Sequence, residues 1–125
     1  MLKTKYFWWL LVWVLVGCGP DTIFLRPGLD TSAQHLSNGN IFLHQKKYEA
    51  AQREFQRAIE LDPRYTDAHV ALGLAYVRQG DFEKGRQSLD HAKALAKTEM
   101  EWDNVQNAFD ELRRLEAKSK IDPPR

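Results

Sequence analysis

The stretch Gly39-Asn40-Ile41-Phe42-Leu43-His44-Gln45-Lys46-Lys47-Tyr48-Glu49-Ala50-Ala51-Gln52-Arg53-Glu54-Phe55-Gln56-Arg57-Ala58-Ile59-Glu60-Leu61-Asp62-Pro63 decides the fold, because the chain repeats it. Shifted by 34 residues, His35 falls on His69, Gly39 on Gly73, Gln45 on Gln79, Glu49 on Glu83, Ala58 on Ala92 and Leu61 on Leu95. Phe42 pairs with Tyr76, Tyr48 with Phe82, Ala51 with Gly85 and Phe55 with Leu89. Self-similarity at such a period marks a stacked-repeat architecture. Tyr48, Ala51, Phe55, Ala58 and Ile59 step at helical spacing, and Phe82, Gly85, Leu89 and Ala92 repeat the step. Each set is one apolar stripe on a helix. Gly39, Gly73, Ala51, Gly85, Ala58 and Ala92 are small where two helices approach, with aromatics filling the space beside them. Lys46-Lys47 and Gly80-Asp81 mark the turn inside each helix pair, and Asp81 suits an N-cap. Asp62-Pro63 stops a helix ending near Leu61, since proline disfavours helix in the residue before it.

These residues resemble the tetratricopeptide repeat (TPR). The first copy is Gly39-Asn40-x-Phe42 through Tyr48, Ala51, Phe55, Ala58-Ile59 and Asp62-Pro63. The second is Ala68, Leu72-Gly73, Tyr76, Gly80-Asp81-Phe82, Gly85, Leu89 and Ala92. Asn38 stands where a core Leu is usual, Gly85 replaces the usual Ala, and Lys97 stands where Pro would close the second copy. Asn38 and Gly85 are expected to cost stability. The resemblance implies an all-α fold, a short superhelix of two helix-turn-helix repeats over residues 32–65 and 66–99. After Ala96 the match lapses, yet Thr98-x-x-Glu101 is a capping-box pattern, and Trp102, Val105, Phe109 and Leu112 step as a helix with Leu115 alongside. Residues 100–116 are therefore expected to cap the array, as a solenoid's open end requires, and residues 117–125 to form a flexible tail.

By the same resemblance, first helices line a concave groove. Its projected positions are Ala33, Leu36, Asn40, Leu43 and His44, then Asp67, Val70, Leu74, Val77 and Arg78, then Glu101, Asn104, Ala108 and Glu111 of the cap. TPR domains that clamp chaperone C-termini place Lys, Asn, Asn, Lys and Arg there. Only Asn40 matches, since the other positions hold Leu36, Ala71, Glu101 and Val105, so the clamp is rejected. An apolar strip remains, Leu36, Leu43, Val70, Leu74 and Val77, edged by Asn40, His44, Asp67 and Arg78. Either it takes an amphipathic helix or extended peptide, or it packs within the small bundle.

The N-terminal end supplies an address. Lys3 and Lys5 precede eleven apolar residues, Tyr6 to Val16, and then comes Gly17-Cys18. A spanning helix needs roughly 20 apolar residues, whereas a secretory h-region needs about 7–15. The run Leu15-Val16-Gly17-Cys18 resembles the lipobox of bacterial lipoproteins. That resemblance implies a signal peptide over residues 1–17, a diacylglyceryl group on the Cys18 thiol and an N-acyl chain on its amino group. Acyl chains bury about 0.8 kcal/mol per methylene, so two or more anchor a protein stably. The protein is expected in the bacterial cell envelope facing the periplasm. Gly19, which is not the Asp of inner-membrane retention, leans toward the outer membrane. Residues 18–31 read as a lipidated tether rich in Pro and Gly. Its Ile23-Phe24-Leu25 either packs on the domain or near lipid, or lies in the groove in competition with a ligand.

Composition excludes other classes. The formal net charge is +1, and removing Lys3 and Lys5 leaves 16 basic against 17 acidic residues, so nucleic acid is not an expected partner. The single cysteine forms no internal disulfide. His35, His44, His69 and His91 show no close-pair metal spacing, and no nucleophile elbow or phosphate loop is present. No metal, no cofactor beyond the Cys18 lipid and no enzymatic activity are expected. The expected role is to tether a protein partner in an envelope, pilus or secretion assembly. The alternative is a structural subunit that forms a homo-oligomer through the uncovered edge of the first helix.

Overall fold

The computed structural model describes residues 30–123. The expected signal peptide 1–17, Cys18 and the expected tether as far as residue 29 lie outside the described residues. Five helices follow in order: α1 Ser32–His44, α2 Tyr48–Leu61, α3 Thr66–Gln79, α4 Phe82–Leu95 and α5 Glu99–Ile121. Neighbours in sequence pack on one another, α1 with α2, α2 with α3, and α3 with α4, while α5 lies across both α3 and α4. The architecture is two helical hairpins stacked in a short superhelix and closed by a fifth helix. Among the described residues, no helix is long and apolar enough to cross a membrane.

The hydrophobic interior has two centres. Leu43, Ala51, Phe55, Ala71, Leu72 and Ala75 form the first. Val70, Val77, Leu89, Ala92, Val105, Ala108 and Leu112 form the second. α3 contributes to both, burying eight of its residues. A helix apolar on every side belongs inside, and α3 is the spine on which hairpins and cap assemble. The small residues permit the close approach. A methyl group at Gly39 would lie 2.3 Å from Cε1 of the fully buried Phe55 ring. Gly85 is as tightly enclosed as Gly39. A methyl there would lie 2.5 Å from Cγ2 of Val77, so the space left by the usual Ala is already filled. Asn38 likewise has partners: its Oδ1 accepts from Gln34 at 3.0 Å, and its Nδ2 donates to Glu54 at 3.4 Å.

The two hairpin turns share a geometry but not a chemistry. Gly80 ends α3 in the left-handed region at φ 94°, and Asp81 N–H then donates to the Tyr76 carbonyl at 2.9 Å. Lys46 takes the equivalent place at φ 59°, with Lys47 N–H donating to Phe42 at 2.9 Å. Left-handed backbone suits glycine and costs a side-chain-bearing residue about 1–2 kcal/mol. The next position differs too. Asp81 caps α4 by accepting from Lys84 N–H at 3.1 Å, whereas Lys47 gives α2 no side-chain cap.

The capping box read from the sequence is formed. Thr98 Oγ1 accepts from Glu101 N–H at 3.2 Å, and the Glu101 carboxylate accepts from Thr98 N–H at 3.0 Å and Lys97 N–H at 2.8 Å. Those backbone donors, with help from the Thr98 and Thr66 hydroxyls, hold the Glu101 pKa at about 2. α5 continues to Ile121, so residues 117–121 are helical rather than part of the expected tail. Glu116, just before that last stretch, accepts from Arg86 at 3.0 Å and so ties the helix to α4.

Candidate partner-binding groove

The projected groove residues separate into two groups. From α1, Asn40 and His44 are exposed, Leu36 is half-buried against the first core, and Leu43 is only 7% exposed, inside that core. From α3, Val70 and Val77 are 8% and 1% exposed, enclosed with Val105, Ala108 and Leu112 of α5. Leu74 is half-buried against the same cluster. Leu43, Val70 and Val77 therefore do not line an open groove. The physical reason is that α3 has one apolar side left after packing on the first hairpin and on α4, and α5 takes it. Projection of a repeat pattern gives the direction of a side chain but not what lies across from it.

The polar edge of α3 is committed in the same way. Arg78 reaches Glu111 with two bonds, Nε donating to Oε1 at 2.8 Å and an η nitrogen to Oε2 at 3.3 Å. This fork raises the Arg78 pKa further, with the Glu111 bond the leading cause. Asp67 accepts from Asn104 at 3.5 Å. Arg78, Asp67 and the partners they meet on α5 are a clasp, and bidentate pairing gives it direction.

What stays accessible on α1 is its outer stretch, with Asn40 and His44 exposed one and two turns along from half-buried Leu36. Among the described residues, no group of three or more His, Cys, Asp or Glu side chains is placed to hold a metal ion. His69 and His91 lie with ring centroids 6.0 Å apart, and His69 Nε2 is 3.0 Å from the Pro63 carbonyl, to which it donates. Such a contact serves local packing.

One constellation escaped the sequence reading. His35 stands between two carboxylates, Nδ1 at 2.8 Å from Glu54 of α2 and Nε2 at 2.6 Å from Asp30, which precedes the α1 N-cap Thr31. Arg57 donates to the other oxygen of Asp30 at 2.7 Å and also to Glu60 at 3.1 Å. The signal was the unusual Asn38, one turn along α1 from His35. It showed that the first hairpin has polar residues at its interior positions, without showing what they meet.

Comparison with protein families places the repeat. Residues 39–80 match the family model for a TPR repeat, and residues 66–99 match one for a tetratricopeptide repeat. A comparison with curated proteins gives no match. The two overlapping spans cover the second half of α1 through α4 and stop where α5 begins. Repeats of this family mediate binding to protein partners.

Proposed function

We propose that the protein is a lipid-anchored interaction module of the bacterial cell envelope, which holds a partner protein at the membrane surface during assembly of an envelope, pilus or secretion complex. Cys18 carries the diacylglyceryl and N-acyl chains, residues 18–31 are the tether, and the TPR superhelix faces the periplasm. The outer membrane is favoured over the inner by Gly19. No reaction is catalysed and no nucleic acid is bound. The mechanism is tethering with recognition of a peptide or helix.

The observation that supports it is the asymmetry of the superhelix. α5 closes the α3–α4 side with an apolar seam and charged ties. On the α1 side, Asn40 and His44 stay exposed and Leu36 is only half-buried. A partner helix laid along α1 would finish the burial of Leu36 and meet Asn40 and His44 as polar contacts. The alternative of self-association has less to work with. Ile41 and Leu61 are the exposed large apolar residues of the first hairpin, and they stand at opposite ends of it. Isolated surface apolar residues are ordinary.

Crosslinking followed by pull-down from native membranes tests the proposal, comparing wild type with Asn40→Arg, an exposed helical position where folding is preserved. Loss of one envelope partner with an unchanged circular-dichroism melt is the expected outcome. An unchanged set of crosslinked proteins sinks the groove. For the anchor, Cys18→Ala is expected to abolish lipid labelling and leave the precursor uncut. A labelled Cys18→Ala protein contradicts the lipobox assignment, and concentration-dependent sedimentation of the unlipidated chain favours self-association.

A further inference from the structure

The Asp30–His35 contact carries a consequence beyond partner binding. Asp30 belongs to the tether side of the N-cap, yet it is bonded to both helices of the first hairpin. His35 Nε2 is 2.6 Å from one of its oxygens and Arg57 donates to the other at 2.7 Å. The second ring nitrogen of His35 lies 2.8 Å from Glu54, and the ring is mostly buried. A neutral imidazole has one N–H and one lone pair. With a carboxylate oxygen within 3 Å of each nitrogen, a neutral ring would aim its lone pair at one of them. Only the doubly protonated ring satisfies both, donating to Asp30 and to Glu54 at once.

We propose that His35, Glu54 and Arg57 form a latch on the first hairpin that grips the carboxylate of Asp30, and that the latch opens when His35 loses its proton. The charged groups at the latch are Asp30 before α1, and Glu54, Arg57 and Glu60 of α2; α1 itself brings only His35 here, and no charged group of α3 contacts the ring. Once the imidazolium is gone, Asp30 is left with Arg57 alone. Both side chains of that pair are largely exposed, and exposed pairs hold weakly. The Asp30 carboxylate is then released from the first hairpin.

The pH window follows from the two shifts. The carboxylates of Asp30 and Glu54, the former leading, raise the His35 pKa above its ordinary value, so the histidine's contribution is complete below about 6.5 and is lost as pH rises through the raised value. The bond from His35, followed by that from Arg57, lowers the Asp30 pKa, so its contribution persists until pH falls below the ordinary carboxylate range. The latch is closed in mildly acidic conditions and opens on the alkaline side.

Nitrogen-15 NMR of the histidine rings in the full-length chain, held in detergent micelles, tests this. His35 is expected to titrate above about 6.5 with both nitrogens protonated at the acid end, and Asp30→Asn is expected to bring its midpoint down. Amide exchange at Gln34 and His35, corrected for intrinsic rates, gives the second readout. Protection is expected to fall as pH rises through the His35 midpoint. In His35→Gln it is expected to be independent of pH. A His35 midpoint at or below 6.5, a midpoint unmoved by Asp30→Asn, or flat protection in wild type each overturns the latch. Asp30 is exposed, so its substitution decides the matter even if His35→Gln does not fold.

Discussion

Transplanting the second hairpin turn into the first should stabilise the protein. The change is Lys46→Gly with Lys47→Asp, which copies Gly80-Asp81 onto the position 34 residues earlier. The backbones already agree. Lys47 has φ −87° and ψ 69°, and Asp81 has φ −88° and ψ 77°. Lys46 is left-handed at φ 59°, as Gly80 is at φ 94°. Relieving a side-chain-bearing residue of that conformation returns about 1–2 kcal/mol. The greater freedom of glycine in the unfolded chain takes back about 0.5–1 kcal/mol. The net is about 0.5–1 kcal/mol. An aspartate at the α2 N-cap can accept from Ala50 N–H as Asp81 does from Lys84 N–H, worth about 1 kcal/mol, and its charge suits a helix N-terminus. Taken as a simple sum the pair should add about 1.5–2 kcal/mol, and since neighbouring positions couple, the two single variants measured beside the double one give the coupling. For a domain of this size that is a rise of about 6–12 °C in Tm. Urea unfolding should show a higher midpoint at an unchanged slope. The reverse exchange, Gly80→Lys with Asp81→Lys, should cost a comparable amount although nothing crowds Gly80. A transplanted turn that leaves the midpoint unchanged, or a second turn that tolerates the lysines, would refute the reasoning.

Two further outcomes follow from packing and charge. Gly39→Ala is expected to destabilise by about 1–3 kcal/mol despite a helix-propensity gain of about 1 kcal/mol, because the new methyl meets the immovable Phe55 ring. Adding Phe55→Leu, the residue the second repeat uses at Leu89, should recover part of the loss in a double-mutant cycle, and purely additive losses would count against the contact. Glu101, held at a pKa of about 2, binds a proton less readily folded than unfolded, so its contribution is present above about pH 4.5 and fades as pH falls toward 2. Amide exchange at the start of α5 should therefore quicken over that interval, and Glu101→Ala should remove the dependence. An acid profile that the variant shares with wild type would show that the capping box does not govern it.

Much of the architecture was legible because it is written locally. The apolar stripes on α2 and α4, the stop at Asp62-Pro63 and the Thr98–Glu101 capping box each depend on residues along one helix or at its end, and the 34-residue register only repeats that local pattern. Backbone sterics and helical periodicity act over that range whatever surrounds them. The groove was less legible. Val70 and Val77 read as open positions, and they are buried only because α5 crosses α3 there. Lys46 carries no local mark of a left-handed turn. The hairpin imposes it, since α1 and α2 must turn back sharply enough for Gly39 to meet Phe55.

By itself, then, the sequence determined the stop of α2 at Asp62-Pro63 and the start of α5 at Thr98, which stripe α2 and α4 would bury, and how the two repeats correspond. The tertiary structure alone decided which apolar positions remain open, why Gly85 has no room for a methyl, and that His35 lies between Asp30 and Glu54. Helix formation is governed by neighbours along the chain. Burial, close approach and ion pairing are governed by neighbours in space, and those exist only after α3 has brought the hairpins and α5 together.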